Sequence, residues 1–255
     1  MIEKPIVIYT DHEASKVLCY NFAKGSNSLM CHVNKFKEYN KTIATYGYIR
    51  GTGEVLRKVK NFIYMDHGYF NQSERLFIKD KVYPLDYNGY FRIVHNNFWH
   101  NGLGNKPDDR FKKLSINIKN IKKNGEYIIL SETDFRDKKF FNIQDWTDKT
   151  IKEIRKHSDR KIVLHSRESD IKLNDLLKNA WAFVSDHSSA GIKSMIEGVP
   201  AYFTNPTLSK IGSIDNIEKH EINYQTFNNL AYDQWTLEEI ASGEAWENLL
   251  IKNNE

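Results

Sequence analysis

Residues 182–200 read AFVSDHSSAGIKSMIEGVP, and this stretch decides the predicted fold. The apolar run at 182–184 predicts a buried strand, and small polar residues follow it at 185–189. A helix is predicted over 190–197, because Gly-Val-Pro at 198–200 is a typical helix stop. A strand that turns directly into a helix in this way is typical of a parallel-sheet α/β unit.

The same alternation continues on both sides of this stretch. Short apolar runs predict the strands, which are expected at residues 4–9, 29–33, 42–46, 61–65, 127–130, 161–165, 181–184 and 200–203. Helices are expected between them, up to residue 23 and at 54–60, 145–157, 173–180 and 190–197. The pattern therefore predicts an α/β protein with two parallel-sheet units.

The domain organisation follows from where this alternation is interrupted. Residues 1–120 are predicted as an N-terminal unit and 121–221 as a second unit. Residues 222–255 are predicted as a helical segment that packs back on the first unit. Residues 70–105 are rich in Asn, Gly, Tyr and Phe, and are predicted as a long irregular insertion with one strand at 90–95. Insertions of this length tend to be functional.

The composition favours a folded cytoplasmic chain. Of the 255 residues 40% are apolar, and the only cysteines are Cys19 and Cys31, which are expected to be reduced thiols. No apolar run reaches the roughly 18 residues of a membrane span, and the N-terminus lacks the features of a signal peptide. No paired Cys or His spacing is present, so neither a metal site nor a membrane contact is predicted.

The net charge of +4 is a mild excess, concentrated in two basic stretches at residues 106–123 and 149–161. Such stretches are either solvated helix faces or surfaces that attract a polyanion. Both interpretations stay open at the level of the sequence.

The polar turn at residues 185–191 suits a phosphate group. A helix amino terminus offers N–H groups and the positive end of the helix dipole, and the Ser188 and Ser189 hydroxyls add two donors. Arg167, after the strand at 161–165, adds a planar fork that can donate two parallel hydrogen bonds. The alternatives are simple helix capping by serine and, for Arg167, an exposed loop.

A second polar cluster, Asp66-His67-Gly68-Tyr69, follows the predicted strand at 61–65. A carboxylate and an imidazole are both suitable general bases, so this cluster predicts a site where an acceptor hydroxyl loses its proton. Gly68 is expected to allow a sharp backbone turn. The alternative is a turn in which Asp66 accepts local hydrogen bonds, and the choice between Asp66 and His67 stays open.

Further candidates for substrate contacts lie at other strand ends. Asp11 and His12 follow the first strand, where a helix cap is an equal alternative. Arg92 and Asn96 belong to the strand predicted at 90–95 or directly follow it, where packing is an equal alternative.

Residues 125–205 resemble the second domain of GT-B-fold glycosyltransferases and the related nucleotide-sugar 2-epimerases. The resemblance rests on the Ser188-Ser189-Ala190-Gly191 turn and implies a GT-B-like fold, with two Rossmann-like units facing a cleft. It also implies roles in donor binding. The turn residues that meet the donor diphosphate are His187, Ser188, Ser189 and Ala190. The residues after the preceding strand that neutralise it as it leaves are His165, Ser166 and Arg167. The acidic residue that holds the donor ribose is Glu197. No metal or other cofactor is then required.

A wider resemblance covers most of the chain. The segments at 64–70, 90–93, 188–189 and 229–240 are similar to a family of small phage and prophage proteins presumed to be glycosyltransferases. This resemblance implies a UDP-sugar donor and favours hydroxymethylated pyrimidine in double-stranded phage DNA as the acceptor. The alternatives are a nucleotide-sugar epimerase or hydrolase, a glycan-directed glycosyltransferase and a non-catalytic DNA-binding protein. The sugar, the stereochemical outcome and the oligomeric state stay open.

Overall fold

The computed structural model describes residues 2–72, 75–78, 81–85 and 87–252, with backbone alone for 75–78 and 81–85. The chain forms two compact units. Unit 1 contains Met1–His100 and Leu230–Glu255, and unit 2 contains Asn101–Asn229. The domain bounds predicted from the sequence, 1–120, 121–221 and 222–255, stay a prediction, because compactness alone does not delimit a domain that folds independently.

The elements are numbered in chain order. The strands are β1 (Ile6–Tyr9), β2 (Met30–His32), β3 (Ile43–Tyr46), β4 (Phe62–His67), β5 (Arg75–Ile78), β6 (Lys81–Leu85), β7 (Phe91–His95), β8 (Tyr127–Ser131), β9 (Lys161–His165), β10 (Ala180–Ser185), β11 (Ala201–Phe203) and β12 (Gln234–Trp235). The helices are α1 (Glu13–Ser26), α2 (Thr52–Leu56), α3 (Asp109–Lys113), α4 (Phe135–Phe141), α5 (Trp146–Arg155), α6 (Leu173–Leu176), α7 (Ala190–Ile196), α8 (Gln225–Ala231), α9 (Leu237–Ser242) and α10 (Glu244–Lys252). None of the helices in the described ranges is long and apolar enough to span a bilayer.

Unit 1 is built on a six-stranded sheet in the order β12-β7-β4-β3-β1-β2. The four strands β4, β3, β1 and β2 are parallel, whereas β7 is antiparallel to β4 and to β12. The central strands of the sheet are apolar on both faces, since Val7, Ile8, Ile43 and Ile63 are all fully buried. Near-continuous apolar strands of this kind are typical of parallel sheets that are covered on both faces.

The C-terminal helices α9 and α10 pack against α1. The contact is close at Gly25, where an added Cβ would lie only 2.0 Å from the carbonyl oxygen of Ile240. Helix α9 begins with a capping box, in which the Thr236 hydroxyl accepts from the Glu239 N–H and the Glu239 carboxylate accepts from the Thr236 N–H.

Unit 2 is built on a four-stranded parallel sheet in the order β11-β10-β8-β9. Its core contains Ile128, Leu130, Ala182 and Val184, which are fully buried. The chain runs from β8 to β9 in one direction and from β10 to β11 in the other. The direction of the connections therefore reverses between β8 and β10, and ligands of open α/β sheets bind beyond the carboxyl ends of the strands at such a point.

The α/β class with two sheets is confirmed, and several element predictions were wrong in detail. The insertion predicted as irregular contains an antiparallel pair, β5 and β6, in addition to β7. The helix predicted over 173–180 ends at Leu176, because Ala180 already belongs to β10. The C-terminal segment is interrupted by β12, whose two residues pair with β7. The arrangement of two units about a cleft stays a prediction.

Candidate functional site

The polar turn after β10 is held by its own serines. The Ser185 hydroxyl accepts a hydrogen bond of 3.2 Å from the Ser188 N–H, and the Ser188 hydroxyl accepts one of 3.2 Å from the Ala190 N–H. The N-cap residue of α7, Ser189, makes no side-chain capping hydrogen bond, so these two bonds hold a local turn that precedes the helix. Accepting this bond leaves the Ser188 hydroxyl hydrogen to be donated to a ligand. Ser188 is half-buried and Ser189 is exposed.

Small residues allow α7 to approach the neighbouring strand closely. A Cβ at Gly191 would lie 2.5 Å from the buried Phe203 ring, so a larger residue in this first turn of the helix would have to displace that ring. This packing sets the turn of residues 185–190 at the carboxyl edge of β10 and β11.

His187 lies between two carboxylates in unit 2. Its Nδ1 is 2.6 Å from Oδ2 of Asp186, and its Nε2 is 3.3 Å from Oδ2 of Asp137. Burial disfavours the charged ring, but the hydrogen bonds and charges of Asp137 and Asp186 outweigh it, so the pKa of His187 is raised. Because both ring nitrogens are directed at carboxylates, this histidine fixes the turn. Its predicted contact with a donor stays a prediction.

A chain of hydrogen bonds extends this network to the next strand. The Thr204 hydroxyl donates to Oδ1 of Asp186 over 2.6 Å, and the Trp146 indole N–H donates to the Thr204 hydroxyl over 2.6 Å. The network joins α5, β10 and the end of β11, so the turn is fixed to a rigid frame.

A cavity of about 470 Å³, more open to solvent than enclosed, adjoins this network within unit 2. It is lined by the segment after α4, by one face of α5, and by residues that follow β10 and β11. Its lining includes Phe141, Ile143, Trp146, Thr150, Asp186 and Thr204. The volume is in the range of ligand-binding pockets, roughly 300–1,000 Å³.

The residues after β9 lie two strands away from the turn, because β8 separates β9 from β10. His165 ends β9, and the Ser166 N–H donates to the Ser169 hydroxyl over 2.9 Å, so Ser166 belongs to a local turn. Exposed Arg167 helps to lower the pKa of Asp134, after the larger effect of the hydrogen bond from Arg136. Cationic groups therefore lie at the carboxyl edge of β8 and β9.

Glu197 lies apart from these groups. It follows the last residue of α7, whereas the turn lies at the other end of that helix, about 10 Å away at a rise of about 1.5 Å per residue. Its carboxylate is 2.5 Å from Nζ of Lys119. The structure does not bring Glu197 together with Ser188, and its predicted role with the donor ribose stays a prediction.

Asp66 is surrounded by donors in unit 1. Its Oδ1 accepts from the His67 N–H over 2.8 Å, and its Oδ2 accepts from the Tyr64 hydroxyl and from Arg92 Nη2, each over 2.9 Å. These three bonds engage both oxygens of the Asp66 carboxylate within unit 1.

Arg92 is buried, and each of its three guanidinium nitrogens donates a hydrogen bond. Nε donates to the Phe98 carbonyl over 3.0 Å, and Nη1 donates to the His67 carbonyl over 2.6 Å. The residue lies opposite Asp66 in the β4–β7 register, which explains the ion pair. These internal bonds hold the guanidinium in place, and the predicted substrate contact at Arg92 stays a prediction.

His67 ends β4 and is half-buried. Its Nε2 is 3.1 Å from the Tyr46 hydroxyl, which belongs to the adjacent strand β3. The ring also stacks on Phe91 with an interplanar angle of 25°. An imidazole fixed in this way at a strand terminus can accept a proton from a hydroxyl group brought to it.

Gly68 is required for space. Its φ lies outside the left-handed region, and the chain bends at the two residues that follow it. A Cβ there would lie 2.8 Å from both Oε1 of Gln234 and the carbonyl oxygen of Tyr90. The same Oε1 accepts from the N–H groups of Tyr69 and Phe70, and Tyr69 is buried.

The other predicted contacts are separated from this cluster. Asp11 is exposed and lies 3.4 Å from His32 Nε2 on β2, while His12 precedes α1 without a side-chain cap. Asn96 accepts a hydrogen bond from the Phe62 N–H over 2.8 Å. It therefore lies at the amino end of β4, whereas His67 lies at the carboxyl end.

Several residues of these networks were missed by sequence reasoning, because no local pattern marks them: Tyr46, Asp137, Trp146, Thr204 and Gln234. Each acts through a partner that is distant in sequence, and Gln234 is 165 positions from Tyr69. In the described ranges no group of three or more His, Cys, Asp or Glu side chains is placed to hold a metal ion.

Comparison with known proteins identifies the type of fold. No protein-family model and no curated protein sequence matches the chain. Two solved structures from Thermosulfurimonas dismutans do match it. The KpsC beta Kdo 2,4 transferase has a TM-score of 0.52 and 10% identity, over 91% of this chain and 90% of that one. The KpsC beta Kdo 2,7 transferase has a TM-score of 0.50 and 10% identity, over 95% and 99%. This chain has a glycosyltransferase-type fold. At 10% identity the likeness concerns the fold alone.

Proposed function

We propose that this protein is a glycosyltransferase, which moves a sugar from a nucleotide-activated donor to a hydroxyl group. The observation that carries the proposal is the fold shared with two glycosyltransferases over nine tenths or more of the chain. A fold alone hosts many activities, so the proposal also requires groups of the right chemistry. Each unit has such a group at the carboxyl edge of its sheet.

Unit 2 is proposed to bind the donor phosphate at residues 185–190. The Ser188 and Ser189 hydroxyls supply donors beside the reversal point of the sheet, where ligands of α/β proteins bind. The network of His187 with Asp137 and Asp186 keeps this turn in place. Arg167 lies at the same edge and is proposed to neutralise the leaving phosphate, so that no metal or other cofactor is needed.

Unit 1 is proposed to activate the acceptor. The acceptor oxygen forms a bond to the anomeric carbon, and its proton passes to the His67 imidazole. The bond from that carbon to the donor phosphate oxygen breaks, and its electron pair leaves with the nucleoside phosphate. His67 is preferred over Asp66, because the Asp66 carboxylate already accepts from Arg92, Tyr64 and the His67 N–H.

The proposed acceptor is a carbohydrate hydroxyl. Both structural neighbours are named Kdo transferases, which makes a sugar acceptor the better supported choice. The UDP donor and the hydroxymethylated pyrimidine of DNA rest on the wider sequence resemblance alone. The activity assay tests both.

A panel assay tests the activity. Radiolabelled UDP-, GDP-, ADP- and CMP-linked sugars are each incubated with the protein and with an oligosaccharide mixture, with hydroxymethylcytosine-containing duplex DNA, or with no acceptor. The proposal expects label in an oligosaccharide product. Label in the DNA alone would move the acceptor to the nucleic acid, and donor breakdown that no acceptor changes would indicate an epimerase or hydrolase. No turnover of any donor by the folded protein would refute the proposal.

A matched pair of histidine variants tests the assignment of the base. His67→Gln should lower kcat about 100-fold or more, which is the usual contribution of a general base. His95→Gln is the control, because His95 ends β7 at the opposite edge of the same sheet, where it pairs with Ile63. Equal activities of the two variants would contradict the role of His67.

A further inference from the structure

The cavity of unit 2 has two kinds of wall. Phe141, Ile143, Trp146 and Pro206 supply flat or apolar surfaces, whereas Asn142 and Asn205 supply side-chain amides. Apolar surfaces with a few polar groups at the margin are the usual composition of a site for a small organic ligand. This composition fits a flat heterocycle, which has apolar faces and a polar edge.

The charges that line the cavity are already compensated. Each charged side chain of the lining has an ionic partner: Lys149 with Asp145 at 2.8 Å, Glu153 with Lys156 at 2.5 Å, and Asp186 with His187 at 2.6 Å. Three of the four charged lining residues are carboxylates and the fourth, Lys149, is already paired with Asp145, so the lining offers a phosphate little attraction. The cavity therefore suits a neutral group.

Asp186 connects the cavity to the turn of residues 185–190. It lines the cavity, and it is also the second residue of that turn, where its carboxylate accepts from Thr204. A ligand that is neutral at one end and anionic at the other could place its neutral end in the cavity and its anionic end at Ser188 and Ser189. A nucleoside phosphate has this chemistry.

We propose that the cavity between α5 and the ends of β10 and β11 binds the nucleoside of the donor, with the base against Trp146 and Ile143. This inference rests on the proposed function, and it assigns the base and the ribose to a place that the phosphate turn alone does not define. Thr150, which is buried on the α5 wall, then becomes the position at which a larger side chain would exclude the base.

Binding measurements on two variants of one residue test the inference. Thr150→Phe fills the cavity, and Thr150→Val is the matched control of nearly equal shape. Calorimetry with CMP, UMP, AMP and GMP should show at least a 10-fold weaker affinity for the best nucleotide in Thr150→Phe and less than a 2-fold change in Thr150→Val. Pyrophosphate, which lacks a nucleoside, should bind both variants as it binds the unmodified protein.

A second measurement does not depend on the folding of a variant. In methyl-labelled protein saturated with the best nucleotide, NOEs are expected between the base protons and the Ile143 methyl groups, and none to exposed Ile171. Nucleotide binding without NOEs at Ile143, and with equal affinity in Thr150→Phe, would overturn the inference and leave the proposed function standing. If no nucleotide binds the unmodified protein, the inference is overturned, and the turnover of the labelled donors decides the proposed function separately.

Discussion

Replacing Arg92 with methionine should lower the free energy of unfolding by about 3 kcal/mol. The guanidinium is buried and donates to Asp66, to the His67 carbonyl and to the Phe98 carbonyl. Methionine has a similar length but no donor, so the substitution leaves the Asp66 carboxylate without its cationic partner. The strand end that carries His67 loses a bond at the same time.

The size of this effect follows from the burial of the two side chains. Breaking a buried ion pair by removing one partner typically costs about 3–5 kcal/mol. The Arg92 side chain is 9% exposed, but that of Asp66 is 26% exposed, so water can solvate part of the abandoned carboxylate. The lower end of the range, about 3 kcal/mol, is therefore expected. Asp66→Asn should cost less, about 2 kcal/mol, because an amide oxygen can still accept from Arg92.

Urea unfolding of a double-mutant cycle measures the pair directly. The unmodified protein, Arg92→Met, Asp66→Asn and the double variant are compared at pH 7. The two losses should not add, and the coupling free energy should be about 1.5 kcal/mol or more. Losses that add to within about 0.5 kcal/mol would refute the view that Asp66 serves mainly as the partner of Arg92.

Three further predictions concern single sites. Burial lowers the pKa of His100 to about 4, although the negative charge of Asp233 raises it in part. As the pH drops from about 6.5 towards 4, the His100 ring therefore takes up a proton in the unfolded chain before it does so in the folded protein, and the stability of the fold falls. Between about pH 6.5 and 4, the free energy of unfolding in urea should fall by about 3 kcal/mol less in His100→Gln than in the unmodified protein. An equal fall in the two proteins would contradict this. Gly68→Ala should cost about 1–3 kcal/mol by overpacking, measured by thermal unfolding, and an unchanged Tm would contradict the close contact. Asp137→Asn should lower the raised pKa of His187 in an NMR titration, and an unchanged midpoint would show that Asp137 is not its partner.

Much of the architecture could be predicted, because it depends on local apolar runs. Strands such as β1, β3, β8 and β10 are short apolar segments that end at polar residues, and the structure places them within one or two residues of the prediction. β12 could not be predicted in this way. It has two residues inside a helical pattern, and it exists because Gln234 and Trp235 pair with β7.

The candidate site was predictable only in its residue types. A carboxylate and an imidazole at the end of β4 were evident, but the Arg92 opposite Asp66 follows from an antiparallel register 26 residues further along the chain. The same register moves Asn96 to the other edge of the sheet, beside Phe62. Arg92 and Asn96 are close in sequence, which indicated that both lie near the same site. The antiparallel direction of β7 places them at opposite ends of β4.

A crystal of the protein soaked with a nucleoside phosphate that it binds tests the proposed donor site most directly. Density for the phosphate is expected within hydrogen-bond distance of the Ser188 and Ser189 hydroxyls in unit 2. An ordered nucleotide whose phosphate lies away from residues 185–190 would contradict it.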